Sequence, residues 1–174
     1  MECFKTFRKA PPSQLIMTLL VKNEESMLEE NLLFHKAMGV DSFIITDNNS
    51  TDSTPEIIRK YKQKGWIKEV IEEKATDYEQ KEWVDRMIWK AKTIYKADWI
   101  INADADELWY SPSGNLKTDL SATHANVLNC EMRSVYPEEN QPFWQWDKVV
   151  KPVSEPERYD LSTYSIFERQ NKKV

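Results

Sequence analysis

Apolar residues fall in short dense runs separated by polar turns, and the runs alternate between two periods. The first run, Leu15–Val21 (LIMTLLV), is nearly continuous, the pattern of a strand covered on both faces. Asn23 then stands where it can cap a helix, with Glu24 and Glu25 in the first turn, where the helix dipole favours acids. Met27, Phe34 and Met38 fall on one stripe of that helix, widened by Leu28, Leu32 and Leu33, and Gly39 closes it. A second buried strand is expected over 42–46 (SFIIT), running into the polar loop 47–54 (DNNSTDST). Pro55 suits the first position of a short helix capped by Thr54 and ended at Gly65. Residues 66–72 (WIKEVIE) alternate as a third strand. A long helix is expected over 77–96, with Val84, Met87, Ile88, Ala91 and Tyr95 on its buried face. A fourth strand over 98–103 (DWIINA) leads directly into Asp104, Ala105, Asp106 and Glu107. A further strand is expected over 126–135, while Pro137, Pro142, Pro152 and Pro156 make the last third irregular and 169–174 reads as a frayed polar end.

Strands alternating with helices through the first two thirds predict a mostly parallel, twisted α/β sheet with helices on both faces. Ligands bind such sheets at the carboxyl ends of the strands. Three of those ends are polar here: Lys22-Asn23-Glu24, Asp47-Asn48-Asn49 and Asp104 to Glu107. They are far apart in sequence, yet the topology gathers them on one edge.

Composition narrows what that edge can do. The chain has 174 residues and 20.6 kDa, enough for one domain. With 40% apolar and 30% charged residues, wholesale disorder and collagen-like or coiled-coil classes are excluded. A net charge of -5 leaves no basic footprint for nucleic acid. Three glycines, none close to another, exclude the usual dinucleotide and P-loop phosphate cradles. Two cysteines and two histidines are too few for a Cys/His zinc site or a disulfide framework. The N-terminal apolar run is too short to span a membrane and no small-residue cleavage site follows it, so a cytoplasmic chain, or one peripheral at a membrane, is expected.

The acidic edge therefore carries the candidate chemistry. In an extended segment the side chains of Asp104 and Asp106 point the same way, and two such carboxylates repel unless a proton or cation intervenes. A hard divalent ion, Mg²⁺ or Mn²⁺, resolves the conflict and keeps coordination positions for substrate phosphates. Plainer roles compete. An isolated D-x-D is commonly a loop or cap, Glu24 also reads as a helix-start acid, and Asp47, Ser50 and Asp52 form a ready turn cluster. His35, beside an apolar helix face, reads as structural. Arg59, Lys60, Lys62 and Lys64 read as a solvated helix end.

The segments VKNEE (21–25), FHKAMGVDSFIITDNNSTDST (34–54) and ADWIINADADELW (97–109) resemble the family 2 glycosyltransferases, in the subgroup with N-E, D-N-x-S-T-D and D-x-D-E motifs. The resemblance covers roughly residues 15–110. It implies a GT-A-like fold, with a nucleotide-sugar-binding half over about 14–110 and an acceptor-side half over about 111–174. It implies a nucleotide-sugar donor, a UDP-sugar first, a divalent metal, and inverting transfer to a hydroxyl of a carbohydrate, lipid-linked glycan or protein. Val21, Lys22 and Glu24 match positions along the nucleotide; Asp47, with Asn49 beside it, matches the acid that binds the base. Asp104 matches the first acid of the motif, near ribose and metal, and Asp106 the metal-binding acid; Glu107 extends the motif. Asp85 and Arg86, on the long helix, are expected to face the same cleft, the arginine toward the diphosphate. The general base is expected in the second half, from Glu138, Glu139 or Asp147, with Trp144 and Trp146 as a sugar platform or as core. The family often carries a late histidine near the metal; here none follows His124. The chain is short for the fold, so it reads either as a minimal enzyme or as part of a longer one.

Two other functions compete at this stage. A metal-dependent phosphodiester-processing domain would also use a glutamate after one strand and D-x-D after another, although a basic track is missing. A non-catalytic nucleotide-sugar or carbohydrate-binding module would bind donor without transfer.

Overall fold

In a computed structural model, residues 13–74, 80–135, 138, 140–142, 145 and 171–173 are described. Four parallel strands, β1 (Leu15–Val21), β2 (Ser42–Asp47), β3 (Ile67–Glu72) and β4 (Trp99–Ala103), form one sheet in the order β3-β2-β1-β4. Their identities follow from the apolar runs: every residue of β2 is buried, and all of β1 except half-buried Leu20. β3 lies at the edge of the sheet, where only Ile67 is buried and Glu69, Val70 and Ile71 are all half-buried, so the alternation expected from the sequence is not seen.

Alternation along β1 sorts the core into two layers. Leu15, Met17, Leu19 and Val21 face α1 (Leu28–Ala37), α2 (Thr54–Gln63) and α4 (Leu116–Ala122). Ile16, with Ile44 of β2, faces α3 (Gln80–Thr93), which buries Met87 and Ala91. A parallel crossover keeps one hand, so reversing direction in the sheet requires the opposite face. β1 to β2 to β3 runs one way under α1 and α2; β3 to β4 returns the other way under α3. The reversal leaves a crevice between the carboxyl ends of β1 and β4. Those two strands pair in register, and Thr18 Oγ1 donates to Asn102 Oδ1 across them at 2.9 Å.

Several local expectations are corrected. The buried stripe of α1 is Leu28, Asn31, Leu32 and His35, not the Met27–Phe34–Met38 stripe, and Leu33 is 45% exposed. Two polar residues on the buried face erase the amphipathic signal. Asn23 does not cap α1, whose N-cap is Met27; it adopts a left-handed backbone (φ 57) that asparagine tolerates, and its side chain serves another loop. Ser53, not Thr54, occupies the N-cap of α2, because the Thr54 hydroxyl is turned inward to accept the Glu24 N–H at 2.8 Å. The expected start of the long helix at 77 lies outside the described residues; α3 buries Trp83 as well as the expected Met87 and Ala91. α4 was not anticipated: it is short, capped by Asn115 Oδ1, which accepts the Thr118 N–H at 2.9 Å. The strand expected over 126–135 shrinks to β5 (Asn129–Glu131). It pairs antiparallel with β6 (Asn171–Lys173), so this part of the C-terminal segment is not a frayed end.

Gly39 ends α1 at φ +97, and the Val40 N–H reaches back to the His35 carbonyl at 3.0 Å. A Cβ there would lie 2.7 Å from Asn115 Oδ1, the atom that caps α4. Gly39→Ala is expected to lower stability by about 2–3 kcal/mol, combining left-handed strain with damage to the cap. Gly65→Ala, at φ +76 with nothing within 4 Å, carries the strain alone and is expected to lose about 1 kcal/mol. Urea unfolding of both variants measures the difference; equal losses would show that α4 does not lean on this turn.

Candidate active site

The crevice between β1 and β4 is a cleft of about 440 Å³. Leu20, Val21 and Lys22 line it from β1 and its exit, Glu24 and Met27 from the loop before α1, Asn48 from beyond β2, and Gln80 from the start of α3. Asp104, Ala105 and Asp106 line it from the end of β4.

The acidic segment is a turn, not the extended strand expected from sequence. The Glu107 N–H donates to the Asp104 carbonyl at 3.1 Å, and Glu107 Oε2 accepts the Asp104 N–H at 3.2 Å. Glu107 thus closes the turn upon itself. Ala105 is buried while Asp104 and Asp106 are exposed, so the two carboxylates still share the cleft side.

Two side chains of α1 hold the other side of this turn. Asn31 Nδ2 donates to the carbonyls of Ala105 and Glu107, at 2.9 and 3.0 Å. The Trp109 N–H donates to His35 Nε2 at 2.9 Å. A backbone N–H can only donate, so Nε2 is the bare nitrogen and Nδ1 carries the proton. That proton faces the Asn31 carbonyl and Asn31 Oδ1, at 2.9 and 3.0 Å. Both residues are fully buried, and burial pushes the His35 pKa down to about 4.

The loops after β1 and β2 are tied to each other. The Asn23 N–H donates to Ser50 Oγ, and Asn23 Oδ1 accepts the Thr51 N–H. The Glu25 N–H donates to Asp52 Oδ2, and Glu25 Oε2 accepts the Ser53 N–H. Asp47 Oδ1 accepts the N–H and the hydroxyl of Ser50 at 3.1 and 2.6 Å. Asp47 is 8% exposed and is not among the lining residues; buried Asn48, passed over in the sequence, is. Asn49 is exposed in a left-handed backbone (φ 56), outside the lining.

The α3 candidates stand away from the lining. Asp85 is exposed, and Arg86 is paired with Glu73 at 2.5 Å. Glu138 is half-buried; Glu139, Asp147, Trp144 and Trp146 lie outside the described residues.

The charge of the cleft registers on Glu24. Burial raises its pKa, and Asp106, Asp52 and Asp104 raise it further. Anionic oxygen is therefore concentrated at this end of the cleft. Among the described residues no group of three or more His, Cys, Asp or Glu side chains forms a closed metal cage. Asp104 and Asp106, two exposed carboxylates on one turn, are the hard oxygen donors that an open Mg²⁺ or Mn²⁺ site would use.

The sequence profile of glycosyltransferase family 92 matches residues 17–127, from within β1 past α4. The chain belongs to glycosyltransferase family 92. The sequence motifs resemble family 2; the match supports the wider GT-A-like glycosyltransferase superfamily, with family 92 as the family shown. No curated protein sequence matches the chain. Among solved structures, a mannosyltransferase from Pyrobaculum calidifontis in complex with GDP-Man and Mn²⁺ is similar at a TM-score of 0.51 and 18% identity. The match covers 70% of this chain and 36% of that one. TarS from S. aureus is similar at a TM-score of 0.47 and 17% identity, over 63% of this chain and 19% of that one. The family 92 chain thus has a GT-A-like architecture and spans about a third or less of the length of these proteins. None of its described helices is long and apolar enough to cross a membrane.

Proposed function

We propose that this family 92 chain transfers a sugar from a nucleoside-diphosphate donor to an acceptor hydroxyl, with inversion and with a divalent metal at Asp104 and Asp106. The observation that carries this reading is the acidic turn, which sets two carboxylates into a cleft at the sheet's reversal point. Asp104 and Asp106 would hold the ion, which when bound supplies neutralising charge for a diphosphate leaving group. Val21, Lys22, Asn48 and Gln80 bound the space for the nucleoside, with Asp47 stiffening the loop beside Asn48 through its two hydrogen bonds from Ser50. Leu20, Met27 and Ala105 give it apolar walls. In the reaction the acceptor oxygen bonds to the anomeric carbon as the bond from that carbon to the diphosphate oxygen breaks. The acceptor's proton passes to a carboxylate base, for which Glu138, Glu139 and Asp147 in the acceptor-side half are the candidates. The net charge of -5 favours this reading over a phosphodiester-processing domain, which would have to bring a polyanion to an acidic chain.

The test is a thermal-shift and calorimetry panel of nucleoside diphosphates and nucleotide sugars, UDP- and GDP-linked included, with and without Mn²⁺. One nucleotide should stabilise the chain only with Mn²⁺, and Asp106→Ala should abolish the effect. No response to any nucleotide would overturn the transferase reading.

A further inference from the structure

The acidic turn is held from behind by two neutral side chains whose every polar function is used. Both N–H bonds of the Asn31 carboxamide reach carbonyls of the turn, and its oxygen faces the His35 proton. The remaining imidazole nitrogen accepts the Trp109 N–H. The spacing is what makes this possible. Residues 31 and 35 are one helical turn apart, and their partners at 105, 107 and 109 are alternate residues of the chain leaving β4. The contacts fall on backbone atoms, so they fix the path of the chain whatever its side chains do.

We propose that Asn31 and His35 are positioning residues: a neutral clamp that sets where Asp104 and Asp106 stand in the cleft. A cationic donor could satisfy the same carbonyls, but it would sit behind the two carboxylates and weaken their hold on an external cation. An amide and a neutral imidazole supply donors and an acceptor without that charge. A buried network with every member satisfied is rigid, and one lost partner leaves the others orphaned. The clamp's consequence for metal binding rests on the reading of the acidic turn as a metal site; the clamping of the chain path does not.

Amide hydrogen exchange and Mn²⁺ calorimetry on the same proteins test this. Asn31→Asp keeps volume but turns oxygen toward the Ala105 and Glu107 carbonyls. His35→Phe keeps a ring but removes the acceptor for Trp109. Phe43→Leu, in the core of β2, is the control for general loss of stability. At a temperature where all are folded, exchange over 104–110 is expected to quicken at least about tenfold in both clamp variants. Exchange over β2 should stay within about twofold of wild type in those variants. Mn²⁺ affinity should fall by about tenfold or more in both, and be unchanged in Phe43→Leu. Unchanged exchange over 104–110, or Mn²⁺ binding as tight as wild type with the turn loosened, would overturn the clamp. If one variant does not fold, the other decides. A wild-type chain that binds no Mn²⁺ would overturn the transferase reading instead, and the exchange comparison would still decide the clamp.

Discussion

Replacing Asp106 by Asn is expected to lower kcat/KM for sugar transfer by about 10²–10³-fold, equivalent to about 3–4 kcal/mol of transition-state stabilisation. The carboxamide is nearly isosteric, so the turn survives while one of two anionic ligands is lost. Asp104→Asn should behave alike, because the contacts that shape the turn at this position use its backbone N–H and carbonyl. Neither change should weaken the fold, since each relieves repulsion among Glu24, Asp104 and Asp106. Glu82→Gln, exposed on α3 and outside the cleft, should leave kcat/KM within about twofold. The measurement is transfer with the donor found by the nucleotide panel at saturating Mn²⁺. Activity within about threefold of wild type in both aspartate variants would sink the metal assignment.

The second large effect is on stability against pH. His35 is held neutral: its pKa of about 4 in the fold compares with 6.5 for the free side chain, and the causes include no charged neighbour. Between those values the unfolded chain binds a proton that the folded chain does not. Stability is therefore complete above about pH 6.5 and falls as pH drops toward 4, by about 3 kcal/mol in all. The carboxylates whose pKa values are lowered lose their contributions as pH falls below their ordinary values, 4.5 for Glu29 and Glu69 and 3.8 for Asp52 and Asp119, so the range from pH 6.5 to 5 isolates His35 from them. Urea unfolding at a series of pH values reads the slope. His35→Gln should remove most of it between pH 6.5 and pH 5; an equal slope in the variant would place the titrating group elsewhere.

The sheet was legible because β1 and β2 are buried on both faces, and near-continuous apolar runs have few other readings. The acidic turn was legible for a related reason: a strand as apolar as WIINA needs a polar exit, and here that exit carries three acids in four residues. What the sequence concealed depends on contacts between distant segments. His35 reads as structural from its own helix, but what it holds, and the part Asn31 plays beside it, depend on partners at 105, 107 and 109. Asn23 looked like a helix cap because a local rule favours it, yet its carboxamide serves Thr51. Asn48 was hidden between Asp47 and Asn49, three polar residues in a row with no period to say which one faces the cleft. Arg86 had a plausible register, but its charge is engaged by Glu73. α4, at seven residues, is too short to show a stripe.

The Thr18–Asn102 hydrogen bond also bears on how the chain avoids folding wrongly. β1 and β4 are both apolar, and burial alone distinguishes poorly between neighbouring alignments of two such strands. In the native alignment Thr18 and Asn102 stand opposite each other and satisfy one another. A slip of one residue would set Thr18 beside Ile101 or Ala103 and leave its buried hydroxyl without the Asn102 acceptor. It would also carry Asp104 and Asp106 about 3.3 Å along β1 and away from the cleft. One polar pair thus acts as a registration pin, selecting during folding the single alignment in which the acidic turn meets the end of β1.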